Sequence, residues 1–202
     1  GAAKPGNGWF FADNHDHAAG RFQDCRAASR DQRRQFPQFL AGLPLALSRD
    51  DLRVVHAAWH PASLMALAAD AGSQPLTDIY REYGRRSEQW AQESALKHAA
   101  GNEYRLWHAQ LDDEHASVPL LQAIGRMDEH FQMSNPVRVL TSGMEQLASR
   151  TFYASGKWRM VERVAWWDDY QEPTPVIFGH YWRWSDHKVP SSHSRGEPDL
   201  FS

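Results

Sequence analysis

Two short apolar segments that each lead to a histidine constrain the fold of this chain more than any other feature. Leu52–Val55 runs directly into His56, and Val176–Phe178 runs into Gly179 and His180. Short apolar runs bounded by turn-forming residues favour β-strands. Because helical patterns separate the two segments, the sequence predicts a mixed fold, α/β or α+β.

Apolar spacing and breaker residues predict the other elements. A strand over 45–47 precedes a turn and the strand at 52–56, and a further short strand is expected over 137–140. Residues 157–167 suit either a strand or an amphipathic segment. The expected helices cover 21–43, 62–71, 77–99 with a stop near Gly101, and 102–134 with breaks at Pro119 and Gly125.

Length and composition exclude several classes of protein. The chain has 202 residues, which suits a single domain. No apolar run approaches the roughly 18 residues that a membrane helix needs, so no membrane association is expected. A formal net charge of −3 gives no electrostatic basis for binding nucleic acid. The single cysteine, Cys25, excludes an internal disulfide framework and favours a reducing cytoplasm.

The two strand-end histidines are the first candidates for a functional site. In layered α/β folds, ligands bind beyond the carboxyl ends of the strands, where loops converge. A neutral imidazole at such a point can ligate a metal, and Gly179 permits a tight backbone turn before His180. Alternatively, each histidine only ends its strand and binds a backbone carbonyl. The residues by themselves leave both interpretations open.

A third candidate lies near the N-terminus, where oxygen and nitrogen donors fill residues 13–17. Asn14 offers a neutral carbonyl oxygen to a metal, and His15 can serve as a general acid. The alternative is an ordinary polar N-terminal segment, since such residues are common in loops.

Several segments together resemble bacterial calcineurin-like metallophosphoesterases. Leu43–Leu47 followed by Leu52–Pro61 is similar to the middle of such proteins, and Pro175–Trp182 is similar to their late Gly-His block. Asn135–Gly143 and Lys157–Trp167 resemble the segments between these blocks. The resemblance covers roughly residues 39–201 and is most specific at the two histidine blocks.

This resemblance implies a pair of β-sheets packed as a sandwich and flanked by helices, with a helical insertion around 74–134. It implies a site for divalent metals, most commonly manganese, with iron or zinc as alternatives, and a phosphorylated substrate. His56 and His180 match two ligands of one metal, Asn14 a third ligand, and His15 the acid that protonates the leaving oxygen. Because His180 is followed by Tyr181 and Trp182, with no second histidine two positions later, the resemblance is to the protein Ser/Thr phosphatase-like branch.

The chain also departs from the family pattern. The family opens with an Asp-x-His motif and then a Gly-Asp-x-x-Asp-Arg motif, and this pair does not precede Asn14; Asp13 stands where the family has glycine. We therefore expect one domain over 1–202, truncated at both ends and poorly soluble alone. Two alternatives stay open: an inactive relative that serves as a binding module, and an unrelated mononuclear metal protein using His15, His17 and a strand-end histidine.

Overall fold

The computed structural model describes residues 28–70 and 75–181, and these form a mixed α/β fold. The chain divides after Pro44 into two compact units. The first unit contributes helix α1 (Arg30–Ala41). Ser29 and Gln32 form a capping box at its start, in which each side chain accepts a hydrogen bond from the other residue's backbone N–H. The helix confirms part of the expectation for 21–43; residues 21–27 lie outside the described part.

The second unit contains five strands and five α-helices among its described residues. In chain order they are β1 (Ala46–Ser48), β2 (Arg53–Val55), α2 (Pro61–Asp70), α3 (Leu76–Glu93), α4 (Ala95–Trp107), α5 (Gln122–Met133), α6 (Pro136–Ser142), β3 (Glu145–Ala154), β4 (Lys157–Arg163) and β5 (Val176–Phe178). None of the helices in residues 28–70 and 75–181 combines the length and the apolar character needed to cross a membrane.

The strands form two small sheets. The first has the order β1-β2-β5: β1 runs antiparallel to β2, and β5 runs parallel to β2. Val55 lies opposite Phe178 in the parallel pair, so the two segments predicted to end in histidine are neighbours in one sheet. The second sheet is the antiparallel hairpin of β3 and β4.

The core beside the three-stranded sheet contains α6, and here the sequence prediction is wrong. Residues 137–140 form a helix and not the expected strand. The Asn135 side chain accepts hydrogen bonds from the first N–H groups of the helix, and Pro136 occupies its first turn, where a missing N–H costs nothing. Val139 and Leu140 are fully buried against this core, so packing overrides the β-propensity of the segment.

The helical boundaries in 77–134 also differ from the prediction. Ser94 ends α3 and starts α4, because its side chain accepts a hydrogen bond from the Leu96 N–H at 3.1 Å. Gly101 and Gly125 lie inside α4 and α5 and break neither helix. Helix α5 packs on the β3–β4 hairpin, and beside it Val118, Leu121 and Met160 form a second buried cluster. The expected helical insertion is therefore helical over 76–93, 95–107 and 122–133, but residues 108–121 are turns and loop, so the prediction of helix there is wrong.

Candidate metal and anion site

His56 and His180 lie side by side at the carboxyl edge of the three-stranded sheet. They follow the adjacent parallel strands β2 and β5, and their ring centroids are 5.3 Å apart with the planes inclined by 47°. The Gly179 N–H donates a hydrogen bond to the His56 carbonyl at 3.0 Å, which continues the pairing one step past the strands. Both imidazoles are exposed, so two nitrogen donors face solvent at one point of the sheet edge.

Buried neighbours fix the backbone of His56. Val55 before it and Ala57 after it are both buried, and the Ala57 N–H donates to the Leu140 carbonyl of α6 at 2.9 Å. The side chain of His56 projects outward between these two anchors. The alternation of buried and exposed residues in β2 therefore continues through His56 into the loop, and it exposes the imidazole to solvent.

The conformation of His180 is unusual for a residue with a side chain. Its φ of 67° lies in the left-handed region, which costs of order 1–3 kcal/mol for a residue other than glycine. Tyr181 anchors the next position, because its hydroxyl accepts a hydrogen bond from the Met144 N–H at 2.8 Å. The Tyr181 N–H also donates to the Gly179 carbonyl at 2.8 Å. The surrounding contacts therefore hold the turn that places His180 beside His56.

Arg163, at the end of β4, is a third member of this site that the sequence analysis did not single out. Its Nη1 donates to the carbonyls of Ser142 at 3.2 Å and His180 at 3.4 Å, and its guanidinium lies 5.2 Å from the centre of the Tyr181 ring. In the described part of the chain only this nitrogen of the guanidinium makes hydrogen bonds. The described residues therefore leave the other nitrogens of this exposed cation open to an anion beside the two histidines. Nothing in the spacing of residues 157–167 indicates this proximity.

The local charges favour a neutral imidazole at His180. Burial lowers the pKa of His180 first, and the positive charges of Arg163 and His56 lower it further. A neutral imidazole keeps a nitrogen lone pair free, which is the form that binds metals.

The donor set fits part of a divalent metal site. Two imidazoles suit iron or zinc, and manganese would need oxygen donors beside them. Within residues 28–70 and 75–181, no group of three or more His, Cys, Asp or Glu side chains could hold a metal ion. Asn14 and His15, the other two predicted site residues, lie outside the described residues, as does His17. The structure thus brings together His56 and His180 and leaves the other predictions as they stand.

Comparisons with protein-family models, with curated proteins and with solved structures find no match to this chain.

Proposed function

We propose that this chain is a metal-dependent phosphoesterase of the calcineurin-like type, which hydrolyses phosphate monoesters of proteins or small molecules. The observation that carries the proposal is the adjacency of His56 and His180 beyond two neighbouring parallel strands. The sequence resemblance selected the same two residues, although they are far apart in the chain. We propose with it the two-sheet sandwich of that family and a cytoplasmic location, the latter because of the single cysteine.

Each residue of the site has a proposed role. His56 and His180 hold one divalent cation, with manganese favoured and iron or zinc as alternatives. Such an ion supplies Lewis-acid polarisation of a phosphoryl oxygen and a water of lowered pKa. Arg163 binds the anionic phosphate through the guanidinium nitrogens that residues 28–70 and 75–181 leave without a hydrogen bond. Asn14 completes the ligand set, and His15 gives a proton to the leaving oxygen.

Metal binding by single-histidine variants tests the proposal. We expect His56→Ala and His180→Ala each to weaken the binding of Mn²⁺ or Zn²⁺, measured by calorimetry. Loss of a residue that only orients a metal ligand lowers metal affinity about 10- to 100-fold, and loss of a ligand itself should cost more. His115→Ala is the matched control, since that side chain is 87% exposed and lies outside the pair. Hydrolysis of p-nitrophenyl phosphate by the metal-loaded chain should fall in the same two variants.

The outcomes separate the proposal from its alternatives. Unchanged metal affinity in both strand-end variants would refute the site. Loss of binding in His17→Ala alone would favour a mononuclear protein that uses N-terminal histidines. Metal binding without hydrolysis would favour a non-catalytic binding module.

A further inference from the structure

A cavity of about 530 Å³ lies between α4, α5 and β4, and the strand-end histidines do not line it. Its volume falls in the range of about 300–1,000 Å³ that is typical of sites for small molecules. Ile124, Met127 and Met160 give it an apolar lining. The space is open beside Gly101 of α4, where an added Cβ would have no atom within 4 Å.

Two aromatic side chains border the cavity. The Trp158 indole is fixed, because its Nε1 donates to the Asp113 carbonyl at 2.9 Å and its ring packs edge-on against Tyr153. The Tyr104 ring contacts His108 at a centroid distance of 5.7 Å and is 58% exposed. An aromatic ligand would therefore find one fixed ring and one ring that is still open to further contact.

Charged groups of both signs also line the cavity. Burial raises the pKa of Asp128, while the positive charges of Lys157 and Arg159 lower it, so the three groups lie within electrostatic reach of one another. Neither the carboxylate of Asp128 nor the ammonium group of Lys157 makes a hydrogen bond to the described part of the chain. Arg159 commits only its Nε, which donates to the Ala154 carbonyl at 3.2 Å. The cavity thus presents a carboxylate and cationic donors whose hydrogen-bonding capacity the described residues leave largely unfilled.

We propose that this cavity binds a free α-amino acid with an aromatic side chain. The ammonium and carboxylate groups of an α-amino acid are adjacent, and they match the carboxylate of Asp128 beside the cations of Lys157 and Arg159. The aromatic side chain packs on the apolar lining near Tyr104. A simple organic anion would bring a second carboxylate close to Asp128 and offer it no cation, and this repulsion disfavours the anion relative to the zwitterion. This proposal does not depend on the proposed phosphoesterase activity.

Calorimetric titration of the full chain with L-tryptophan tests the cavity. We expect Gly101→Leu to weaken binding at least tenfold, because the leucine side chain fills the open space. Gly84→Leu is the matched control, since Gly84 also lies inside a helix with no atom near an added Cβ but does not line the cavity. Both variants should remain folded, because leucine is a better helix former than glycine; thermal unfolding checks this.

A second comparison tests the chemical class of the ligand. We expect L-tryptophan to bind at least tenfold more tightly than indole-3-propionate or tryptamine, each of which lacks one of the two charged groups. Asp128→Asn should weaken L-tryptophan binding and leave indole-3-propionate binding unchanged. Equal binding of all three compounds, normal binding by Gly101→Leu, or no binding of L-tryptophan at millimolar concentration would each overturn the proposal.

Discussion

Gly125→Ala should destabilise the protein, although alanine is the better helix former. Gly125 lies in the buried face of α5, where it meets the β3–β4 hairpin. A Cβ added there would lie 2.9 Å from the Met160 carbonyl oxygen and 3.1 Å from the Met160 Cβ, and it would also clash with the terminal methyl of Leu147. The Leu147 methyl can rotate away, but the backbone of Met160 is held in the hairpin.

The magnitude follows from two opposing effects. Replacing a helical glycine with alanine stabilises by about 1 kcal/mol. Overpacking a well-packed contact costs about 1–3 kcal/mol. Because the Met160 backbone cannot move away from the added Cβ, we expect a cost in the upper half of that range. We therefore expect a net loss of about 1–2 kcal/mol in the free energy of unfolding. Gly101→Ala and Gly84→Ala have no such contact and should each gain up to about 1 kcal/mol.

Urea denaturation and thermal unfolding, followed by circular dichroism, measure these differences. For a chain of this size a change of 1 kcal/mol shifts the Tm by about 2–4 °C, so Gly125→Ala should lie clearly below the two other variants. If Gly125→Ala proved as stable as Gly101→Ala, the close packing of α5 on the hairpin would be refuted.

Two further perturbations test the core and the titrating groups. Asn135→Ala should lower the free energy of unfolding by about 1–3 kcal/mol in urea denaturation, because it removes a helix cap and the hydrogen bond that the Asn135 Nδ2 donates to the Tyr80 carbonyl at 3.0 Å. A loss below about 0.5 kcal/mol would contradict this account. Burial lowers the pKa of His60 and His130. Below the ordinary histidine pKa of about 6.5, the native state therefore binds fewer protons than the unfolded chain. The free energy of unfolding should consequently fall as the pH drops from 7 through this value. His130→Leu should flatten this dependence in unfolding measured between pH 7 and 5.5, and an unchanged slope would show that His130 does not contribute.

The sequence was most informative where local pattern decides structure. The strands β2 and β5 were predicted because short apolar runs between turn residues have few other stable conformations in water. Their end residues, His56 and His180, were singled out on the same basis. The mixed fold class followed from the alternation of such strands with helical patterns.

The sequence was least informative where burial in the core determines the local conformation. Residues 137–140 favour a strand by composition, but Asn135 caps them as a helix and the core encloses them. Gly101 and Gly125 were expected to break helices, and both lie inside them, because packing and the flanking helical turns outweigh the cost of one glycine.

The sequence by itself determined that each of two strands ends in a histidine, since this follows from neighbouring residues. Only the tertiary structure decided that those strands are parallel neighbours, which places the two rings 5.3 Å apart. It also brought Arg163 beside them from the end of another sheet. The physical reason is that strand pairing and core packing join residues more than a hundred positions apart, and no local pattern encodes which partners will meet.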